Sequence, residues 1–120
     1  MKPETIEQGI RDLVSIYGDG VRTAREGART LVRLTQVEMP PGCRPRTTPM
    51  LLVFDPDQPK PLPYVRPGQL LANGREPRST STQIVGGESW MQFSFNIPWV
   101  EGQSIVRFVT AARQRFAGNE

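Results

Sequence analysis

Proline crowds the middle of this chain. All but Pro3, Pro77 and Pro98 of its 12 prolines fall between Pro40 and Pro67. Each removes a backbone donor and holds φ near that of extended chain, so helix interiors and central ladders are both disfavoured there. Just ahead of the densest part lies Pro49-Met50-Leu51-Leu52-Val53-Phe54, an apolar run of strand length that reads as a strand covered on both faces. Asp55-Pro56-Asp57 breaks it. Residues 55 to 67 are then predicted to cross the sheet as stiff extended backbone, neither ladder nor helix. PKPLP also matches a proline-rich ligand for a partner domain, a weaker reading for a segment set between core strands.

The flanks are simpler. In residues 4 to 17, Ile6, Ile10, Leu13, Val14 and Tyr17 recur at helical spacing, Pro3 sits near the first turn, and Gly18 and Gly20 supply the stop. Glu7, Gln8, Arg11 and Ser15 form the wetted face. Residues 21 to 38 are rich in β-branched and polar side chains, with Glu26-Gly27 as a tight turn between two strands. A helix over 20 to 26 is the alternative there. Residues 68 to 88 read as one long connection containing an Asn-Gly turn and the run Ser79-Thr80-Ser81-Thr82. Residues 89 to 97 alternate, with Met91, Phe93, Phe95 and Ile97 facing a core and Trp90 and Gln92 turned away from it. A closing helix over 102 to 117 carries Ile105, Phe108, Val109, Ala112 and Phe116 on one face and ends at Gly118.

The result is a single domain over 1–120 of α+β class, with an N-terminal helix, an antiparallel meander sheet, a long Pro-rich crossing and loop, and a C-terminal helix. The chain contains no histidine and one cysteine, Cys43, which removes the commonest zinc ligand, the commonest general base and any internal disulfide. No metal and no cofactor is expected. No apolar window is long enough to span a bilayer, and the N-terminus lacks the apolar core of a signal peptide, so a cytoplasmic protein without membrane association is expected. All but Lys2 and Lys60 of the 15 basic residues are arginine, but the net charge is only +3 and the arginines are dispersed, which argues against nucleic acid as the partner.

Three landmarks in this order resemble the ubiquitin-conjugating-enzyme superfamily, in particular its divergent bacterial members. LLVFDPDQPKPLPYV is similar to the family's third strand followed by its Tyr-Pro-x-x-Pro-Pro segment, GQLLANGR to the stretch before the active site, and Trp99 to the tryptophan that precedes the closing helix. The resemblance spans roughly residues 5 to 117. It implies a carrier that accepts a ubiquitin-like modifier from an activating enzyme docked on the N-terminal helix. It also implies a reactive residue between Asn73 and Trp90. That interval holds no cysteine, the family's His-Pro-Asn is absent, and Cys43 lies before the third strand.

The acylatable side chains in the interval are hydroxyls, with Ser79 and Ser81 ahead of the threonines. Either would hold the modifier as an oxyester if a base activated it. Glu76 and Glu88 are the carboxylates at hand, Arg75 and Arg78 suit a carboxylate or a developing negative charge, and the resemblance implies an oxyanion donor at Asn73. Arg44 and Arg46 beside Cys43 are expected to lower its thiol pKa, making it a secondary candidate. The competing reading is a non-catalytic member of the same fold, of the RWD type, that only binds partners.

Overall fold

The computed structural model describes residues 1–93, 97–100 and 102–118. Helix α1 (Pro3–Tyr17) starts on the proline and stops at Gly18, whose φ of 56° suits only glycine well and whose N–H bonds the Val14 carbonyl. Leu13 and Gly9 are its buried residues, with Ile6, Ile10 and Tyr17 packed at the margin. The apolar stripe is narrower than its sequence spacing implies. Val14 lies on the rim of the packed face and is 46% exposed.

Six strands follow: β1 (Val21–Glu26), β2 (Arg29–Glu38), β3 (Thr47–Phe54), β4 (Leu62–Val65), β5 (Thr80–Val85) and β6 (Glu88–Phe93). They form one antiparallel sheet in the order β1-β2-β3-β4-β6-β5. Residues 21 to 26 are therefore strand, and the helical alternative for them does not occur. The Glu26-Gly27 turn is made with Gly27 at φ 62°. Helix α2 (Ile105–Gln114) begins three residues later than its sequence pattern suggests and passes into a 3-10 turn, Arg115–Ala117.

Two expectations are corrected here. The proline-rich stretch does not simply cross the sheet, because Leu62–Val65 pairs with β3 over Met50–Val53, with Pro63 opposite Leu52. Among the described residues β6 pairs with β4 only at Tyr64 and Val65, so Pro63 lies beyond that ladder, where a missing donor costs little. Residues 68 to 88 are likewise not one loop. Their second half is β5, which forms a hairpin with β6 through Gly86-Gly87, both at positive φ. Of the alternating run 89 to 97, Met91, Phe93 and Ile97 are buried as the period requires, and Phe95 lies outside the described residues.

Both helices cover one face of the sheet. The main core unites Leu13 of α1, alternating residues of β2 and β3, Met91 and Phe93 of β6, and Ile105, Phe108, Val109, Ala112 and Phe116. The helices cross at Gly9. A Cβ there would sit 2.3 Å from Ile105 Cγ1, so only glycine permits the approach. The opposite face holds a second cluster of Leu31, Leu51, Val53, Tyr64, Val85 and Trp90, in which Trp90 is only 1% exposed.

The second cluster is closed by the curl of the sheet. Arg33 Nη1 of β2 donates to Glu88 Oε2 of β6 at 2.5 Å, although β3 and β4 lie between those strands. The Gly86 N–H at the β5–β6 turn donates to Glu26 Oε2 at 2.8 Å, and Arg29 pairs with the other oxygen of that carboxylate. The Arg33 and Arg66 guanidiniums lie 5.3 and 5.1 Å from the Trp90 ring centroid, within cation–π range.

Two outcomes follow from these contacts. Gly9→Ala should lower stability by about 1–3 kcal/mol through overpacking, against the gain that alanine normally brings to a helix; thermal or urea unfolding reads the sign, and a stabilised variant would refute the close crossing. The Gly86 N–H and the Arg29 guanidinium hold the Glu26 carboxyl below its usual range. Its contribution to hairpin closure is therefore present above the ordinary glutamate pKa and is lost as pH falls through the depressed folded value. The Gly86 amide resonance should titrate in that acid window and stop titrating in Glu26→Gln.

Candidate functional site

The loop from Arg66 to Ser79 begins as an anchored structure and ends as an exposed one. Gln69, 2% exposed, donates through Nε2 to the carbonyls of Pro45 and Leu70 at 2.9 and 3.1 Å. The Leu70 N–H donates to Arg44 O at 2.9 Å, and the Ala72 N–H to Phe116 O at 2.8 Å. These bonds tie the loop to the linker before β3 and to the end of α2. Gly42 is needed there, since a Cβ would meet the Ala72 carbonyl oxygen at 2.5 Å.

Asn73 and Gly74 then turn the chain outward. The Gly74 N–H donates to Leu71 O, the Leu71 N–H to Arg75 O, and the Arg75 N–H to Asn73 Oδ1, each at 2.9 Å. The Asn73 carbonyl oxygen is thus occupied in its own turn. Arg75, Glu76 and Arg78 are exposed. Neither guanidinium is in an ion pair among the described residues.

The two candidate serines do not share a setting. Ser79 is the last loop residue and is exposed at φ 54°, the one non-glycine residue at positive φ among those described. Such backbone costs of order 1 kcal/mol or more and is sustained by its surroundings. Ser81 is in β5, opposite Gln92, where its Oγ accepts from Gln83 Nε2 at 3.2 Å. Gln83 also donates to Gln92 Oε1 at 2.7 Å and accepts from the Tyr64 hydroxyl at 3.2 Å.

No described hydrogen bond joins either serine to Glu76 or Glu88. Glu88 lies on the same face of β6 as Gln92 but four residues away, about 13 Å along a strand. Its Oε2 is held by Arg33, with Arg66 Nη1 at 3.9 Å. Two open clefts of about 790 and 500 Å³ are lined from α2 and from Met1, Pro59 and Trp99, and neither includes residues 73 to 81. Among the described residues, no group of three or more acidic, cysteine or histidine side chains could hold a metal ion. No described helix is long and apolar enough to cross a membrane.

Cys43 reverses its expected chemistry. The side chain is 4% exposed, and its thiol donates to Phe116 O at 3.6 Å. Burial raises its pKa, and the Arg46 charge only partly opposes that rise. Arg46 is already engaged, with Nε donating to Met39 O at 2.7 Å and Nη2 to Glu38 at 2.9 Å. The thiol therefore stays neutral where a nucleophile would need to be thiolate.

The feature that sequence reasoning passed over is strand β5. Its signal was present in Gly86-Gly87 between alternating segments, a hairpin signature next to a run of serine and threonine that looks like loop. Comparison with known proteins finds no matching family, no matching curated protein and no matching solved structure.

Because folding favours the neutral thiol, the stabilisation from Cys43 is full below the unfolded thiol pKa and is lost as pH rises through the folded value. Stability measured by urea unfolding should decline through this alkaline window. Cys43→Ala should remove the earlier part of that decline and leave the later part due to Tyr64, whose phenol is also raised by burial. A native thiol that reacts with a disulfide reagent at pH 8 as fast as the unfolded chain would contradict the buried setting.

Proposed function

We propose that this chain is a non-catalytic ubiquitin-conjugating-enzyme-like subunit that binds an activating enzyme and a ubiquitin-like modifier in the cytoplasm. The observation that carries this reading is the setting of the candidate bases: Glu88 is salt-bridged to Arg33, with Arg66 beside it, about 13 Å along the strand from Ser81, and no described hydrogen bond joins Glu76 to either serine. The Ser81 hydroxyl meanwhile accepts from an uncharged amide that cannot take its proton. An oxygen nucleophile without a base is weak. The order of helix, β1–β4 meander and closing helix supports the resemblance stated for the sequence. Docking through α1 is supported by apolar side chains along both rims of its packed face, Val14 at 46% and Ile16 at 58% exposure.

A second reading, a carrier holding the modifier as a serine oxyester, is favoured by one observation. Ser79 is exposed in left-handed backbone next to Arg78, and strained backbone of this kind clusters at active sites. Its base would be the exposed Glu76 three residues before it, or a group supplied by a partner.

One reconstitution separates the two. With activating enzyme, modifier and ATP, the binding reading expects a non-covalent complex that Ser79→Ala and Ser81→Ala leave unchanged. Val14→Asp or Ile16→Asp should weaken it at least about tenfold, the loss typical of a buried interface anchor. An adduct that resists thiol reductants, is cleaved by hydroxylamine and disappears in Ser79→Ala would establish the carrier instead.

A further inference from the structure

The two edges of the sheet are built differently. β1 is guarded in the usual way, with Arg22, Arg25 and Glu26 along it. β5, at the other edge, carries no charge from Thr80 to Val85, and among the described residues only β6 pairs with it. Ile84 on this strand is 69% exposed, the most exposed large apolar side chain among the described residues. The edges approach one another at the Glu26–Gly86 hydrogen bond, and among the described residues no ladder joins them. Thr80 to Ile84 therefore present alternate N–H and C=O groups outward from β-branched and polar residues already held extended, a ready template for strand addition.

We propose that the β5 edge binds an extended, uncharged C-terminal segment of a partner by antiparallel strand addition, with Arg78 and Arg75 taking its terminal carboxylate. Charge and direction select this occupant together. β5 runs from Thr80 to Val85, so an antiparallel strand ends beside Thr80, next to Arg78. Arg78 is exposed two residues before the strand, Arg75 is exposed in the turn that precedes it, and neither guanidinium is in a described ion pair. Arginine matches a carboxylate with paired, charge-assisted hydrogen bonds. A parallel strand would instead bring its free ammonium group to the same end, and a second copy of β5 would bring its β5–β6 turn there, where the nearby Glu26 and Glu88 carboxylates are already paired with Arg29 and Arg33. The uncharged strand supplies no partner for charged side chains along the added segment.

The inference deepens the function proposed above by naming the part of the modifier that is held, its tail, and rests on that reading only for the source of the tail. The test is independent of it, since neither the activating enzyme nor α1 takes part. The probe is a fluorescein-labelled hexapeptide, Thr-Val-Ser-Val-Thr-Gly, with a free carboxylate, titrated into the full chain by anisotropy and by amide NMR. Binding should perturb the amides of Thr80 to Ile84. The C-terminal amide form and the variant Arg78→Ala should each bind about ten- to a hundredfold more weakly, as expected for loss of a charge-assisted contact. Arg22→Ala on the other edge should bind as the parent does. N-methylation at alternate peptide residues should abolish binding in one phase and spare it in the other, which strand pairing requires and side-chain docking does not.

Equal binding of acid and amide, insensitivity to N-methylation in both phases, or no binding at millimolar peptide would overturn the proposal. So would a dimer in light scattering that Ile84→Lys dissociates, since that result gives the edge to a second copy. Loss of peptide binding with α1 docking intact would refute this inference alone, and the converse would refute the docking reading alone.

Discussion

Burial of Trp90 on the face of the sheet that no helix covers is the constraint on which the rest of the molecule depends. A sheet with helices on one side ordinarily leaves its other side wet. Here Trp90 is closed over by the curl of the sheet and flanked by the Arg33 and Arg66 guanidiniums. That closure needs β6 next to β4, so that its hairpin can fold back toward the β1–β2 turn. With β6 in that place, β5 is left as the edge. The strand carrying Ser81 is thus exposed because the strand carrying Trp90 is buried.

The same closure sets the chemistry. Of the two carboxylates near the serines in sequence, Glu76 and Glu88, the second is drawn into the link between β2 and β6 that holds the curl. Cys43 is drawn inward by the contact between the linker, the loop and the end of α2, where the Phe116 carbonyl receives both its thiol and the Ala72 N–H. Two potentially reactive groups are therefore spent on holding elements together. What remains exposed is Ser79, with Arg75, Glu76 and Arg78 before it and the edge strand after it.

Local pattern specified a good part of this architecture. The helical spacing of Ile6, Ile10 and Leu13, and of Ile105, Phe108, Val109, Ala112 and Phe116, defines one buried stripe on each helix. The unbroken apolar run of β3 demands cover on both faces and receives it, and Met91 and Phe93 face the main core as their period of two requires. In each case burial follows from periodicity within a single element. Pro63 misled for the complementary reason. A missing donor disqualifies a residue only where a neighbouring strand would have used it, and that depends on the extent of the β6 ladder.

The sequence by itself determined the α+β class, the two amphipathic helices, the apolar strand, and the exclusion of histidine chemistry and internal disulfides, because these depend on composition and short-range spacing. Only the tertiary structure decided that Ser81 is in a strand and Ser79 at its threshold, that Trp90 is interior, and that Cys43 is buried and Glu88 engaged. Each of those depends on which distant segments meet. Arg33 reaches Glu88 across 55 positions of chain, and Cys43 reaches Phe116 across 73. Local spacing carries no record of such meetings, since they arise from the curl of the whole sheet and the docking of its loops.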